Sequence, residues 1–352
     1  MQIQPSKLAC CLAAFACASA AAQSGVEAYG LLDLNVGVTS NAARDGGNLA
    51  RVGSNGMNTS RLGFRGSEDL GGALKAVYQL EMGLTPDVGG ADALFRRQAN
   101  VGLEGRYGRL VLGRSFTAVY DFMQAYDPMS YAPLYSWAPA GNGSSPNRYG
   151  MTFAFDNMVK YSGKFGNFTV GANYGAGEQS SRTSDGAKGA LAVNYAQAGY
   201  GLVATYERVN ANKAATGARD FTTVWHLGAL VNSGKWRLQA AMRDYCLKAG
   251  SAGAPDIRAR LYWAGANYPI APAVTLSGAL YYQDVFNVPA GTDADPAMLV
   301  GRIRYALSKR SDLYATAAYA RARHGQPVSL ARDEAGYDDR QRGVLVGMQH
   351  RF

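Results

Sequence analysis

The chain has 352 residues, enough for two ordinary domains or for one large β-barrel. Glycine (43 residues) and tyrosine (22) are abundant and charged residues make up 17%, below the usual ~25%, which favours strands joined by tight turns over helices. After residue 22 no run of 18 or more apolar residues occurs, which excludes a bundle of transmembrane helices.

Residues 1–22 come first in chain order and are predicted to be a secretory signal peptide. Lys7 precedes an apolar stretch, residues 8–18, and small residues follow, which is the pattern of a segment removed on export. The mature chain is therefore expected to begin near Gln23. The alternatives are an ordinary first helix and a lipoprotein anchor, and the residues before the cysteines of this segment fit an anchor poorly.

Loss of this segment changes the charge and the cysteine content. It leaves 34 basic against 26 acidic residues, a net charge of +8. It also removes three of the four cysteines, so Cys246 remains alone and no internal disulfide is expected. A basic surplus permits nucleic acid, anionic lipid or anionic solutes as partners. Export and the lack of any five-residue Lys/Arg cluster argue against nucleic acid.

Residues 26–38 form the first predicted strand. One parity is wholly apolar and the other largely polar, and the length suits the roughly 9 to 11 residues that cross a membrane as a tilted strand. In a soluble protein the same strand would turn its apolar face to a core, so one strand leaves both possibilities open. Similar alternations recur, many of them ending in an aromatic residue, as a girdle at the membrane interface requires. They lie at residues 74–80, 168–174, 191–195, 236–242, 274–282, 313–319 and 344–348.

The connections between these strands alternate between short and long. Short turns at one rim and long loops at the other are typical of a membrane barrel. The sequence therefore predicts an all-β fold, a transmembrane antiparallel up-and-down β-barrel of about 16 strands that occupies residues 23–352 as a single domain. The short connections lie at 67–72, 105–108, 163–167, 232–235 and 308–311, and long ones lie at 40–59, 175–188, 209–219, 246–256, 285–295 and 321–339.

Residues 113–150 differ from the rest because they show no sustained period of two or 3.6. The stretch is rich in Tyr, Ser, Pro and Gly and carries Asp121 and Asp127. Loops longer than roughly 12 to 15 residues without structure of their own are uncommon and usually functional. We expect this loop to fold into the cavity that the barrel supplies.

Several short motifs are spread over the mature chain, most densely before residue 125. They are AYGLLD at 28–33, SRLGFRGSEDLGGALKA at 60–76, RQANVGL at 97–103, LGR at 112–114, YD at 120–121, LSKR at 307–310 and GMQHRF at 347–352. Together they resemble the Gram-negative trimeric general-diffusion porins, in particular their β-proteobacterial branch. The resemblance implies a homotrimer in outer-membrane lipid and lipopolysaccharide, inserted by machinery that reads the terminal Phe352.

The resemblance also implies a pore constriction, in which the long third loop carries acids and the barrel wall carries bases. By motif match Arg61 and Arg97 are wall residues, Arg114 lies at the root of the loop, and Asp127 resembles the loop acid. Asp121 is expected to hold the base of the loop.

Two positions depart from the enterobacterial relatives. Tyr131 stands where those relatives carry a second loop acid, and Leu31 stands where they carry a lysine after the first strand's Tyr-Gly. The first departure leaves Asp127 almost alone against the wall arginines, which predicts anion preference, and the second weakens that prediction.

The parity of Arg97 is a local puzzle. Arg97 shares its parity with the apolar residues that follow it, and an arginine in the middle of the bilayer costs roughly 2 to 4 kcal/mol. Either Arg97 faces the lumen while Gln98, Asn100 and Gly102 face a neighbouring subunit, or a bulge resets the register.

No enzyme, metal site or cofactor is predicted. The three histidines have no metal-ligand spacing, and neither a Gly-x-Ser-x-Gly elbow nor a phosphate-binding fingerprint is present in context. We expect a passive, water-filled channel for small hydrophilic solutes and ions in the outer membrane. A substrate-specific channel remains an alternative, and so does a soluble all-β binding or adhesion protein. The first is suggested by the aromatic residues of the long loop, Tyr120, Tyr126, Tyr131, Tyr135 and Trp137.

Overall fold

The structure is a computed structural model that describes residues 25–139, 148–180, 184–214 and 217–352. The predicted signal peptide, residues 1–22, lies outside the described residues. No helix in the described part of the chain is long and apolar enough to cross a membrane.

Eighteen strands join in one sheet among the described residues. Two of them, β2 and β5, belong to loops, and the other sixteen run antiparallel around the wall, so the predicted barrel of about 16 strands is confirmed. The strands are β1 (Gly25–Thr39), β2 (Leu49–Ser54), β3 (Arg61–Gly71), β4 (Leu74–Thr85), β5 (Gly90–Ala91), β6 (Gln98–Gly105), β7 (Gly108–Phe116), β8 (Ala154–Phe165), β9 (Phe168–Gly175), β10 (Lys188–Gln197), β11 (Tyr200–Asn210), β12 (Phe221–Ser233), β13 (Trp236–Lys248), β14 (Ile257–Ala271), β15 (Val274–Phe286), β16 (Ala297–Ala306), β17 (Ser311–Arg321) and β18 (Arg340–Arg351).

The barrel closes where the first and last strands meet. β1 pairs with β18 from Leu31 opposite Arg351 to Thr39 opposite Gly343. The pairing continues past the strand end, since the backbone N–H of Gly30 donates to the carbonyl of Phe352 and the N–H of Phe352 donates back, both at 3.1 Å. Closure leaves no free edge along this seam, which is how a sheet satisfies its backbone groups in lipid.

Exposure alternates along the strands, as β12 illustrates. Trp225 and Leu227 are 56% and 57% exposed, whereas the alternate residues Val224 and His226 are buried. Large apolar side chains are exposed in the same way on the other wall strands, while the opposite parity carries buried polar residues. A continuous apolar exterior is what lipid contact requires. We call the opposite parity the inner face.

The connections also follow the expected alternation. The turns that lead from β3, β6, β8, β10, β12, β14 and β16 into the next wall strand contain at most four residues. The connections at the other rim are long, and two of them include β2 and β5. The rims therefore differ in the way that the sequence predicts.

Of the two arrangements expected around Arg97, the one with Gln98 and Asn100 toward a neighbouring subunit is wrong. β6 begins at Gln98, so Arg97 precedes the strand, and its backbone N–H donates to the carbonyl of Glu81 at 3.1 Å. Val101 of β6 is 59% exposed and therefore lies on the outer face. Gln98 and Asn100 have the opposite parity and are buried, so they lie on the inner face. These polar residues therefore do not face a neighbouring subunit. The alternation of faces applies only within a strand, so the parity of residues in β6 does not determine which way Arg97 points.

The seam between β1 and Phe352 leaves no room for a side chain at Gly30. A Cβ built there would lie 2.3 Å from Cζ of Phe352 and 2.9 Å from the carbonyl oxygen of Arg61. We expect Gly30→Ala to lower the free energy of unfolding by about 1–3 kcal/mol, because the ring and the seam must shift. Urea unfolding of protein folded into lipid vesicles would measure this change.

Gly301→Ala is the matched control, because a Cβ at this position of β16 meets no atom within 4 Å. Equal unfolding midpoints for the two variants would contradict the assignment of the seam.

Candidate functional site

The long loop between β7 and β8 spans residues 117–153, of which 140–147 lie outside the described residues. β7 extends into the predicted loop as far as Phe116, whereas β8 begins only at Ala154, after the predicted loop ends. The predicted stretch, residues 113–150, is therefore shifted by three or four residues at each end.

The loop contains a short helix, α1 (Ala118–Met123), followed by a 3₁₀ turn at Gln124–Tyr126. The hydroxyl of Thr117 caps α1 by accepting the backbone N–H of Tyr120 at 3.1 Å. The sequence did not predict this helix, because six residues make fewer than two turns and produce no sustained period.

Asp127 is fully buried and holds the middle of the loop together. Its carboxylate accepts hydrogen bonds from the Ser136 hydroxyl (2.7 Å) and from the backbone N–H groups of Tyr131 (2.7 Å) and Met129 (3.2 Å). It also accepts one from the hydroxyl of Tyr281, an inner-face residue of β15. Burial raises the pKa of Asp127, and these hydrogen bonds oppose that shift. The predicted loop acid therefore points at the wall.

The loop is also bonded to its surroundings. Inner-face side chains of β13 and β14 donate to its backbone carbonyls, and the indole of Trp137 in the loop donates to the last long loop. They are Trp263 Nε1 to Tyr126 O (2.9 Å), Gln239 Nε2 to Ala125 O (3.1 Å), Asn267 Nδ2 to Pro128 O (3.1 Å), Arg243 Nη1 to Ala138 O (2.6 Å) and Trp137 Nε1 to Ser329 O (3.1 Å). Because four of the five donors are strand residues, the loop has a fixed position over this part of the sheet.

Asp121 and Tyr131 have separate positions in the loop. Asp121 forms an ion pair with Lys160 of β8, and the same ammonium group donates to the carbonyl of Phe116 at 2.8 Å, at the start of the loop. Tyr131 is 3% exposed, and its ring packs against Tyr120 with centroids 4.9 Å apart.

The structure brings Arg61 and Arg97 together at one carboxylate. Nε of Arg97 donates to Glu81 at 2.7 Å, and Nε of Arg61 lies 3.7 Å from the other carboxylate oxygen. The Tyr29 hydroxyl donates to Glu81 at 2.8 Å, and Arg61 also donates to the carbonyl of Thr59 at 3.0 Å. Glu81 is 4% exposed, so two guanidinium groups share one nearly buried acid.

Arg114 lies apart from this pair. Its guanidinium forms an ion pair with Asp156 of β8 and donates to the carbonyl of Arg96. Sequence reasoning missed Glu81 and Asp156. The only signal for Glu81 is its place on the polar parity of β4, where an acid among lumen-facing residues needs a cation.

A cavity of about 310 Å³ opens beside Arg97. Its lining comes from four separate parts of the chain, namely the segment between β2 and β3, the segment before β6, the long third loop and the last long loop. The side chains of Arg96, Tyr120, Phe153 and Arg332 contribute to it. Sequence reasoning missed Arg96, Phe153 and Arg332.

Comparison with known proteins places these features in context. The profile of a family described as Gram-negative porin matches residues 9–325. Outer membrane porin protein 32 of Delftia acidovorans is 31% identical over 97% of this chain and 98% of its own length. An outer membrane porin protein of Bordetella pertussis is 30% identical over 97% of each chain.

Solved structures give the same picture of the fold. An anion-selective porin from Comamonas acidovorans superimposes with a TM-score of 0.81 at 25% identity, covering 94% of this chain and 100% of that one. The trimer form of OmpT from Vibrio cholerae superimposes with a TM-score of 0.71 at 17% identity, covering 94% and 99% of the two chains. At 17% identity, the similarity to OmpT concerns the fold alone.

Removing the Asp127 carboxylate should release the loop. Asp127→Ala leaves the hydroxyls of Tyr281 and Ser136 and two backbone N–H groups buried without an acceptor, and each such group costs about 1–3 kcal/mol. We expect the folded variant to become sensitive to limited proteolysis within residues 117–139, whereas the parent stays resistant.

Asp45→Ala is the control, because it removes an exposed loop acid of the same charge. Equal resistance of the Asp127 and Asp45 variants would show that the carboxylate does not anchor the loop.

Proposed function

The chain belongs to the Gram-negative porin family, and from that premise we propose that it forms an anion-preferring diffusion channel for small hydrophilic solutes and ions. Porins of this family are channels rather than enzymes, and the chain is an outer-membrane β-barrel. The observation that carries the anion preference is the pairing of two wall arginines, Arg61 and Arg97, with the single acid Glu81.

The charge balance follows from the direction in which each group faces. Two guanidinium groups and one carboxylate leave a local surplus of one positive charge at Glu81. Asp127, which would offset that surplus from the loop side, is fully buried against the wall. A lumen with low-dielectric walls concentrates this field. At ~0.15 M salt the Debye length is about 8 Å, so salt does not erase the bias over the width of a constriction.

The long third loop supplies the constriction in this proposal. Its segment 117–139 is bonded to inner-face residues of β13, β14 and β15 and so occupies part of the cross-section within the barrel. The remaining opening lies toward Arg61, whose side chain is 30% exposed. Arg97 and Arg114 extend the basic side of this opening, while Asp121, Asp127 and Tyr131 hold the loop.

A substrate-specific channel is less well supported. It would need aromatic side chains open to the pore, yet Tyr126, Tyr131, Tyr135 and Trp137 are all at most 4% exposed. They pack the loop against the wall, which is a structural role. Of the aromatic residues that suggested this alternative, Tyr120 alone is partly exposed.

The assembly is proposed to be a homotrimer surrounded by outer-membrane lipid and lipopolysaccharide. The trimer form of a protein with the same fold supports this state. Cleavage of residues 1–22 precedes assembly in the proposal. The insertion machinery then reads Phe352, whose ring is 47% exposed at the end of the closing seam.

Reversing the charge of Arg61 should change the ion selectivity. We expect a parent that prefers chloride over potassium, and Arg61→Glu should lower the chloride-to-potassium permeability ratio by about tenfold, because it inverts the local field. The reversal potential of single channels under a KCl gradient measures this ratio.

Arg310→Glu is the control, since it makes the same charge change at an exposed position in the short turn between β16 and β17. A cation-selective parent refutes the proposal. A parent whose selectivity responds equally to both reversals shows that Arg61 has no special place in the ion path.

The proposed trimer and its processing can be tested on the protein isolated from the membrane. Protein purified from the outer membrane should have a native mass of three chains that each begin near Gln23. Deleting Phe352 should lower the yield of folded, heat-modifiable oligomer, because the two hydrogen bonds between Gly30 and Phe352 and the recognition signal are all lost. A retained Met1 would contradict cleavage of the signal peptide, and a monomeric native mass would contradict the trimer. An unchanged yield from the deletion would contradict the role of Phe352 in insertion.

A further inference from the structure

The cavity beside Arg97 is built by loops that are distant in sequence. The backbone N–H of Arg332, in the last long loop, donates to the carbonyl of Pro133 in the third loop at 3.3 Å. This contact brings the guanidinium of Arg332 to the same cavity as Arg96 and Arg97. The cavity, of about 310 Å³, is thus formed by contacts between loops, and it lies on the proposed solute path.

One side of the cavity is aromatic. The ring of Phe153 is 40% exposed, and its centroid lies 6.5 Å from those of both Tyr120 and Phe116. Phe116 and Tyr120 are themselves 4.9 Å apart, so three rings form one cluster. Because Phe153 and Tyr120 line the cavity, the cluster offers aromatic surface to a solute there. The guanidinium of Arg114 also lies over the Phe153 ring, 5.9 Å from its centroid.

Arginines also line the cavity, and two of them, Arg96 and Arg332, have guanidinium donors to spare. Arg332 uses Nε on Asp333 at 2.7 Å, and its terminal nitrogens have no hydrogen-bond partner among the described residues. The side chain of Arg96 has neither a hydrogen bond nor an ion pair within the described ranges. Three arginines line the cavity against two acids, Asp92 and Asp333. Unused guanidinium nitrogens match the two oxygens of a carboxylate.

We infer that this cavity is a transit site for small aromatic carboxylates, of which benzoate is the simplest. The ring of the solute packs against Phe153 and Tyr120, and its carboxylate accepts hydrogen bonds from Arg96 and Arg332. The inference rests on the proposed channel function, because the solute enters from the lumen. Binding in such a site must be weak enough for release, which suits a few contacts at a solvated surface.

The test compares benzoate with cyclohexanecarboxylate, which has the same charge and a similar size but no π face. Each acid is added to channels in a planar bilayer, and the concentration that halves the chloride current is measured. We expect benzoate to act at a concentration about 3- to 10-fold lower than cyclohexanecarboxylate in the parent. This comparison needs no variant, so it cannot fail through misfolding.

Two variants test whether Phe153 and Arg332 are responsible for the block by benzoate. Phe153→Leu should remove most of the advantage of benzoate and leave cyclohexanecarboxylate unchanged. Arg332→Gln should weaken both acids, since it removes the charge that both of them use. Phe165→Leu is the matched control, because it replaces a phenylalanine of similar exposure (49% against 40%) at the end of β8, outside the cavity.

Equal potency of the two acids on the parent overturns the inference, and so does a Phe153→Leu channel that keeps the advantage of benzoate. The KCl reversal potential of the same channels separates this outcome from failure of the proposed function. Chloride preference without an advantage for benzoate rejects the aromatic site alone. Potassium preference rejects the proposed anion channel itself.

Discussion

Lipid supplies no hydrogen-bond partners, so every backbone N–H and C=O group of a membrane-spanning sheet must be satisfied within the sheet. The seam between β1 and β18, completed by the reciprocal bonds of Gly30 and Phe352, meets this constraint. Closure in turn divides each strand into one face toward lipid and one toward the lumen. The apolar exterior and the polar inner face are consequences of that single requirement.

The same requirement acts on the interior, where buried polar groups also need partners. The inner-face donors of β13 and β14 find them in the backbone carbonyls of the third loop, and the hydroxyl of Tyr281 finds one in Asp127. The bonds that hold the loop turn its acid toward the wall. In the proposed channel this leaves the arginines at Glu81 to set the field, so that anchoring of the loop and ion selectivity are coupled.

The regular part of the fold could be predicted from the sequence. Alternation with a period of two is a property of each strand by itself, and the contrast between short turns and long loops needs no knowledge of contacts. The strand number and the antiparallel barrel follow from these local signals. The mature chain's start remains a prediction, because residues 1–22 lie outside the described residues.

The site was harder to predict because it depends on contacts between distant residues. Arg61 and Arg97 could be chosen by motif, but their shared acid, Glu81, is found only once the register of β3, β4 and β6 is known. The direction of Asp127 depends on Tyr281, more than a hundred residues later. Arg332 enters the cavity through a loop-to-loop contact that has no sequence pattern.

The central claim is that the lumen is an open, water-filled path. Single-channel conductance of the purified protein, recorded over a series of KCl concentrations, tests it most directly. A water-filled lumen should give stepwise, ohmic conductance that rises in proportion to the conductivity of the bulk solution, because ions cross in water. Conductance that saturates at low salt, or the lack of any conductance steps, would contradict the account.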